Sequence, residues 1–161
     1  MSLKRTFRGY FKMGEQRISR DEMNMEIALI VAKRSTCNRA RVGCVITQEG
    51  RIVSTGYGGA PSGLPHCLDE GCLIGENDTG CIRTTHAEQG AIAFAAKKGV
   101  SLEGSTLYVT LSPCLPCAKL IINAGIKRVI YLEQYRKTDG VELLKKAGIS
   151  VEEFPPKGVG I

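Results

Sequence analysis

From Thr85 to Phe154, helix-like and strand-like patterns alternate in short units, most of them closed by glycine. A helical stretch over about 85–98 stops at Gly99, and Thr106–Leu111 is β-rich. The turn Pro113-Cys114-Leu115-Pro116-Cys117 leads into a helix through about Ala124, closed by Gly125. A short apolar strand at Val129–Leu132 follows, then a helix over Val141–Ala147 closed by Gly148, then a strand at Ile149–Phe154. Glycine just past a helix accepts the left-handed conformation that ends it. This alternation predicts parallel crossovers and a sheet covered by helices on both faces.

The first half reads differently. Ser19 and Glu22 have capping-box spacing, which predicts a helix from Arg20 to about Arg34. Met23, Ile27, Ile30 and Val31 repeat at helical spacing and are expected in the core. Val42–Thr47 and Arg51–Thr55 flank Gln48-Glu49-Gly50, a hairpin signal that makes the expected sheet mixed. The expected order is α-β-β-α-β-α-β-α-β. Residues 1–18 read as a basic arm and residues 19–161 as one domain. Between the hairpin and the second helix, Gly56–Arg83 is rich in Gly, Pro and Cys and shows no period. A loop this long inside a domain is functional or tied down.

The formal charge is +6 and the pI about 9.0, which favours an anionic partner such as a nucleotide or nucleic acid. The basic residues are scattered, densest from Lys4 to Arg20, so charge alone does not choose between them. Six thiolates around two zinc ions would bring the net charge to about +4. No apolar run reaches the ~18 residues of a membrane span. The first residues lack the apolar core of a signal peptide, so a cytoplasmic protein is expected. Seven cysteines without that signal argue against a disulfide framework and for metal.

Two short motifs carry the chemistry. His86-Ala87-Glu88 opens one helix and Pro113-Cys114-Leu115-Pro116-Cys117 opens the next. Each alone is weak: a lone His at a helix start is usually structural, and Cys-x-x-Cys also serves redox and zinc-ribbon proteins. In this order they form the signature of the zinc nucleobase deaminases. One imidazole and two thiolates leave the fourth zinc position to water, as catalytic zinc requires. The helix N-termini favour the thiolates. Glu88 is placed to take a proton from that water and pass it to the base. A purely structural zinc site has no use for Glu88.

At these residues the chain resembles the deoxycytidylate (dCMP) deaminases of the cytidine deaminase-like superfamily. The likeness runs from about Met25 to Phe154 and includes 32–37, 42–46, 63–67, 81–89, 107–110 and 121–127. It implies a three-layer α/β/α fold around a five-stranded mixed sheet, and a homo-oligomer, hexamer or dimer. It also implies regulation by dCTP and dTTP, and in some members a second, structural zinc. Cys37, Cys67, Cys72 and Cys81 match that second site, and four thiolates on zinc would pin the ~25-residue loop. Simple buried thiols, or His66 in place of one cysteine, are the alternatives. Cys44 is left over as a small buried apolar residue.

Two departures stand out. The family usually has Asn after its Gly-Tyr pair and Asn two residues beyond the catalytic Glu; here these are Gly58 and Gly90. Either this is drift, with water or other side chains filling in, or it removes polar readout from the substrate pocket and opens volume; the Gly58 change also puts effector binding in doubt. The Ala87 amide and the Ser112 carbonyl are expected to hold the pyrimidine, and Tyr135 to stack on it. Phe94 and Lys97 suit subunit contact or effector coupling, with core and solvent as their default roles, and Arg83 either meets a phosphate or merely flanks the zinc loop. The expected activity is therefore conversion of dCMP to dUMP and ammonia. The alternatives are a modified cytosine nucleotide or another aminated heterocycle, such as guanine or a pterin-like ring. A tRNA adenosine or single-stranded nucleic-acid deaminase fits less well, because Phe154–Ile161 provides no basic, aromatic docking surface. A catalytically silent regulatory subunit is opposed by the intact Glu88.

Overall fold

The computed structural model describes residues 17–78 and 80–154. The expected N-terminal arm, up to residue 16, and the tail after Phe154 lie outside the described residues. The order is α1 (Arg20–Ala32), β1 (Gly43–Gln48), β2 (Arg51–Tyr57), α2 (Cys67–Glu70), α3 (Ala87–Lys97), β3 (Thr106–Leu111), α4 (Leu115–Asn123), β4 (Arg128–Glu133), α5 (Asp139–Lys146) and β5 (Ser150–Glu153). The strands form one sheet in the order β2-β1-β3-β4-β5. β1 is antiparallel to both β2 and β3, whereas β3, β4 and β5 run parallel. The expected mixed five-stranded sheet is therefore observed.

Side chains alternate across this sheet with the period of two that strands impose. Val45, Tyr108 and Ile130 face α1, where they meet Met25 and Ala28. Cys44, Ile46, Leu107, Val109, Val129 and Tyr131 face the opposite layer, built from α3, α4 and α5. Ile46, Leu107, Ile121, Ile130 and Leu144 are essentially sealed from solvent. Each such side chain contributes about 2 kcal/mol of burial free energy.

The core face of α1 differs from the expected one. Asn24, Met25, Ala28 and Ala32 are buried, while Met23 and Ile30 turn outward, Ile30 to 63% exposure. The reason lies at Gly43 on β1. A side chain there would collide with the Ala28 carbonyl, so helix and strand touch backbone to backbone. Only small residues fit on that stripe of α1. The capping box is formed: Ser19 Oγ accepts from the Glu22 amide at 3.1 Å and Glu22 Oε2 from the Ser19 amide at 3.2 Å. Asp21 follows in the first turn and accepts two bonds from Arg128 on β4 at 2.8 and 2.9 Å. Arg128 also donates to Glu152 on β5, and Tyr108 donates to Asp21 at 2.7 Å.

The stretch after β2 is more ordered than its sequence suggests. It holds α2, a 3-10 turn at Glu76–Asp78, and two isolated bridges, Gly59 with Thr85 and Ile74 with Cys81. Among the described residues no helix is long and apolar enough to cross a membrane.

Candidate active site

Two helix starts converge at one point. His86 caps α3, and its amide donates to the Gln89 carboxamide at 2.9 Å, which fixes the first turn. α3 lies directly on β2 because residue 56 is glycine; a side chain there would strike the Ala87 carbonyl. Ser54 Oγ adds a bond to the Ala91 carbonyl at 2.7 Å. Cys114 caps α4, with Pro116 in the first turn, where its missing N–H goes unused. The Pro113–Cys114 backbone is seated against α5 at Gly140, a second place where no side chain fits.

The result brings Nδ1 of His86 to 3.3 Å from Cys114 Sγ and 3.4 Å from Cys117 Sγ. Zinc bonds of ~2.0–2.3 Å in a tetrahedron put ligand atoms ~3.5 Å apart, so this trio fits a zinc ion. The cysteine pair shares a proton unevenly. A hydrogen bond from Cys117, aided by His86, holds the Cys114 thiol down at about 4, and the same bond pushes Cys117 up. The hydrogen bond to Cys114 raises the His86 pKa.

Glu88, in the first turn of α3, is only 4% exposed. Burial pushes its carboxyl up to about 7, against its own backbone amide and the nearby His86, which favour the charged form. A carboxyl poised near neutrality is suited to both taking and giving a proton.

A second group of ligand atoms comes from the long segment. Cys37, Cys67, Cys72 and Cys81 place their sulfurs within 4.8 Å of one another. Cys67 and Cys81 are 3.5 Å apart, and Cys37 and Cys72 are 4.0 Å apart. These spacings bracket the edge of a zinc–sulfur tetrahedron. Burial works against a Cys81 thiolate, yet hydrogen bonds from the Arg83 amide, the Cys67 thiol and the Leu73 amide bring it down to about 6. His66 is not part of the cluster; its ring bonds Thr36 Oγ1 at 3.0 Å instead. Cys44 is fully buried on β1, with its thiol pushed well above the usual range by burial.

A cavity of about 300 Å³ opens over the His86 trio. Glu88, Ala87, Ser112, Tyr135 and Gly58 line it, as the sequence predicts. Ser112 Oγ accepts from the Tyr135 amide at 2.8 Å and from Gln134 at 2.9 Å, which ties the turn before α4 to the loop carrying Tyr135. Gly90 is not among the lining residues. A side chain there would point at Gly56 and the Tyr57 carbonyl, between α3 and β2. Arg83 also stays outside the lining, held by the Gly71 carbonyl and Glu70. The cations that do line the cavity are Arg39 and Arg136, which the sequence reading missed. Their neighbours Cys37 and Tyr135 were the available signal. Phe94 and Lys97 lie exposed on α3.

Comparison with known proteins agrees with this geometry. The family described as cytidine and deoxycytidylate deaminase zinc-binding region matches residues 18–133. The chain is 44% identical to ComE operon protein 2 of Bacillus subtilis, covering 86% of this chain and 72% of that protein. It is 36% identical to the deoxycytidylate deaminase of Enterobacteria phage T4, covering 84% and 90%. A crystal structure of dCMP deaminase from the cyanophage S-TIM5, in complex with dCMP and dUMP, superposes with a TM-score of 0.76 at 35% identity, covering 87% of this chain and all of that one. The chain belongs to the cytidine and deoxycytidylate deaminase family, whose zinc-binding region it carries across both helix starts.

Proposed function

We propose that this protein hydrolyses dCMP to dUMP and ammonia, with His86, Cys114 and Cys117 as zinc ligands and Glu88 as the proton carrier. The observation that carries this reading is the meeting of those three ligand atoms beside a buried carboxyl at the foot of a nucleotide-sized cavity. Zinc bound there supplies a water whose pKa lies near neutrality. Glu88 is placed to take up the proton that such a water would give up and to carry it to N3 of the cytosine, which would open C4 to addition of the oxygen. A second proton, passed through Glu88 to the exocyclic nitrogen, lets ammonia leave and restores the ring as uracil. The Ala87 amide at the start of α3 and the Ser112 carbonyl orient the base, and Tyr135 stacks on it. Arg39 and Arg136 supply the cations for the 5′-phosphate.

Cys37, Cys67, Cys72 and Cys81 hold a second zinc in this reading, one that organises the segment before α3. A homo-oligomer, dimer or hexamer, responding to dCTP and dTTP is proposed from the family resemblance. The described cysteines are all unpaired, which fits a reducing, cytoplasmic setting.

One observation favours a second reading. Gly58 leaves the cavity wall without the side chain the family places there, so a cytosine nucleotide enlarged on its ring would also fit. Purified protein is assayed for ammonia and for the deaminated nucleotide with dCMP, 5-substituted dCMP, dCTP, deoxycytidine and guanine. Conversion of dCMP above the others supports the first reading; turnover of another compound with dCMP inert overturns it.

A further inference from the structure

The two cysteine clusters are not independent. Cys37 and Cys81 belong to the four-cysteine group, and both line the cavity that His86, Glu88 and Cys114 also line. From Cys81 the chain runs through Thr84 and Thr85, both cavity-lining, straight into His86. This short arm is fastened at both ends. Thr85 exchanges two backbone bonds with Gly59, at 2.8 and 3.2 Å. Cys81 bridges to Ile74, and the Ile82 amide donates to the Leu73 carbonyl at 2.8 Å. On the other side, Cys37 follows Ser35, whose hydroxyl donates to the Gly58 carbonyl at 2.7 Å, and Gly58 lines the same cavity.

Apolar packing adds little to these hydrogen bonds. Five large apolar side chains of the segment, Leu64, Leu68, Leu73, Ile74 and Ile82, are 44–63% exposed. Cys67, at 1% exposure, sits at its centre instead. A segment with its apolar side chains in water has few contacts with which to hold a wall. The four sulfurs bring four separate parts of the chain to one point, where a shared metal would tie them together.

Resting on the zinc deaminase reading above, we propose that the four-cysteine site sets nucleotide affinity: metal held there fixes the cavity wall and the arm that carries His86. Cys37, Cys67, Cys72 and Cys81 are then positioning residues, acting through Thr84, Thr85 and His86. Their ligation is felt in substrate binding and in how firmly the neighbouring trio keeps its own ion.

Cys72 is the right handle, because it belongs to the cluster but not to the cavity lining. The experiment compares Cys72→Ser with Cys72→His, each in the full chain and each also on a Glu88→Gln background. Zinc per chain is counted, release of the remaining zinc to a colorimetric chelator is timed, and dCMP affinity is measured by calorimetry on the Glu88→Gln proteins. With Cys72→Ser, one zinc per chain, about tenfold weaker dCMP binding and about tenfold faster release of the remaining zinc are expected, with KM rising more than kcat falls. Cys72→His, which restores a fourth donor, should return all three readouts towards the parent. One zinc with unchanged dCMP affinity and unchanged release overturns the proposal, as does retention of two zinc ions by Cys72→Ser. If Cys72→Ser loses its fold by circular dichroism, parent protein stripped to one zinc by limited chelation takes its place, with the same outcomes. Failure of the Glu88→Gln parent to bind dCMP at all rejects dCMP as the substrate, and the zinc-release rate then decides the proposal.

Discussion

Ser35 Oγ donates to the Gly58 carbonyl at 2.7 Å, and a Cβ built on Gly58 would sit 3.2 Å from that same oxygen. The backbone at Gly58 is not in the left-handed region, so a side chain there needs only a small shift of Ser35. Gly58→Asn is therefore expected to fold and to narrow the cavity. It should lower kcat/KM for 5-substituted dCMP relative to dCMP by about fivefold or more, since a pocket that gains a polar group discriminates sharply. Competition assays with the two nucleotides check this, and an unchanged ratio removes Gly58 from specificity.

Replacing Glu88 by Gln keeps the shape and removes the proton carrier. Turnover should fall by about a thousandfold. Zinc content should be unchanged, because Glu88 is not among the three clustered donors. Ammonia release and metal analysis on the same preparation test both halves, and retained turnover would remove Glu88 from the chemistry.

Arg39 and Arg136 line the cavity, and among the described lining residues Glu88 is the one acid. Arg39→Met and Arg136→Met should each raise KM for dCMP by about tenfold, the loss of one charge-assisted contact. Deoxycytidine, which has no phosphate, should be processed as poorly by the variants as by the parent. Equal losses on both substrates would mean that the arginines act on the wall rather than on the phosphate.

Arg128 holds Asp21 and Glu152 through four hydrogen bonds. It draws both carboxyls below their ordinary values of 3.8 and 4.5. Depressed carboxyl pKa values stabilise the fold above the unfolded-state pKa, and that stability is lost as pH falls through the folded pKa. Arg128→Met should thus lower stability at pH 7 by about 1 kcal/mol, discounted for partial exposure. The gap between parent and variant should close as the pH falls through the lowered carboxyl values. Urea melts across that range measure it.

Much of this was legible in the chain. Ser19 and Glu22 announce α1 because a capping box is local chemistry, complete within four residues. His86, Cys114 and Cys117 announce a cluster of donor atoms able to hold a metal, because each motif starts a helix and the alternation of elements brings those starts together. What was misread depends on contacts between distant segments. Met23 and Ile30 have the period of a core face, but Gly43 admits only small residues there, so the helix turns them to solvent. Gly90 falls two residues beyond Glu88 yet faces β2 rather than the cavity. Arg39 and Arg136 lie 97 positions apart and become neighbours of one cavity only once the sheet is assembled.

Gly56 and Gly140 seat the two ligand-bearing turns through main-chain atoms, with no side chain in between. Main-chain contact carries no side-chain identity, so residues around the cavity can be exchanged one at a time without disturbing the turns beneath them. For such a scaffold, reaction and substrate are inherited separately. A lineage can hand down the turns that bring His86, Cys114 and Cys117 together while the cavity lining at Gly58, Arg39, Tyr135 and Arg136 changes around them.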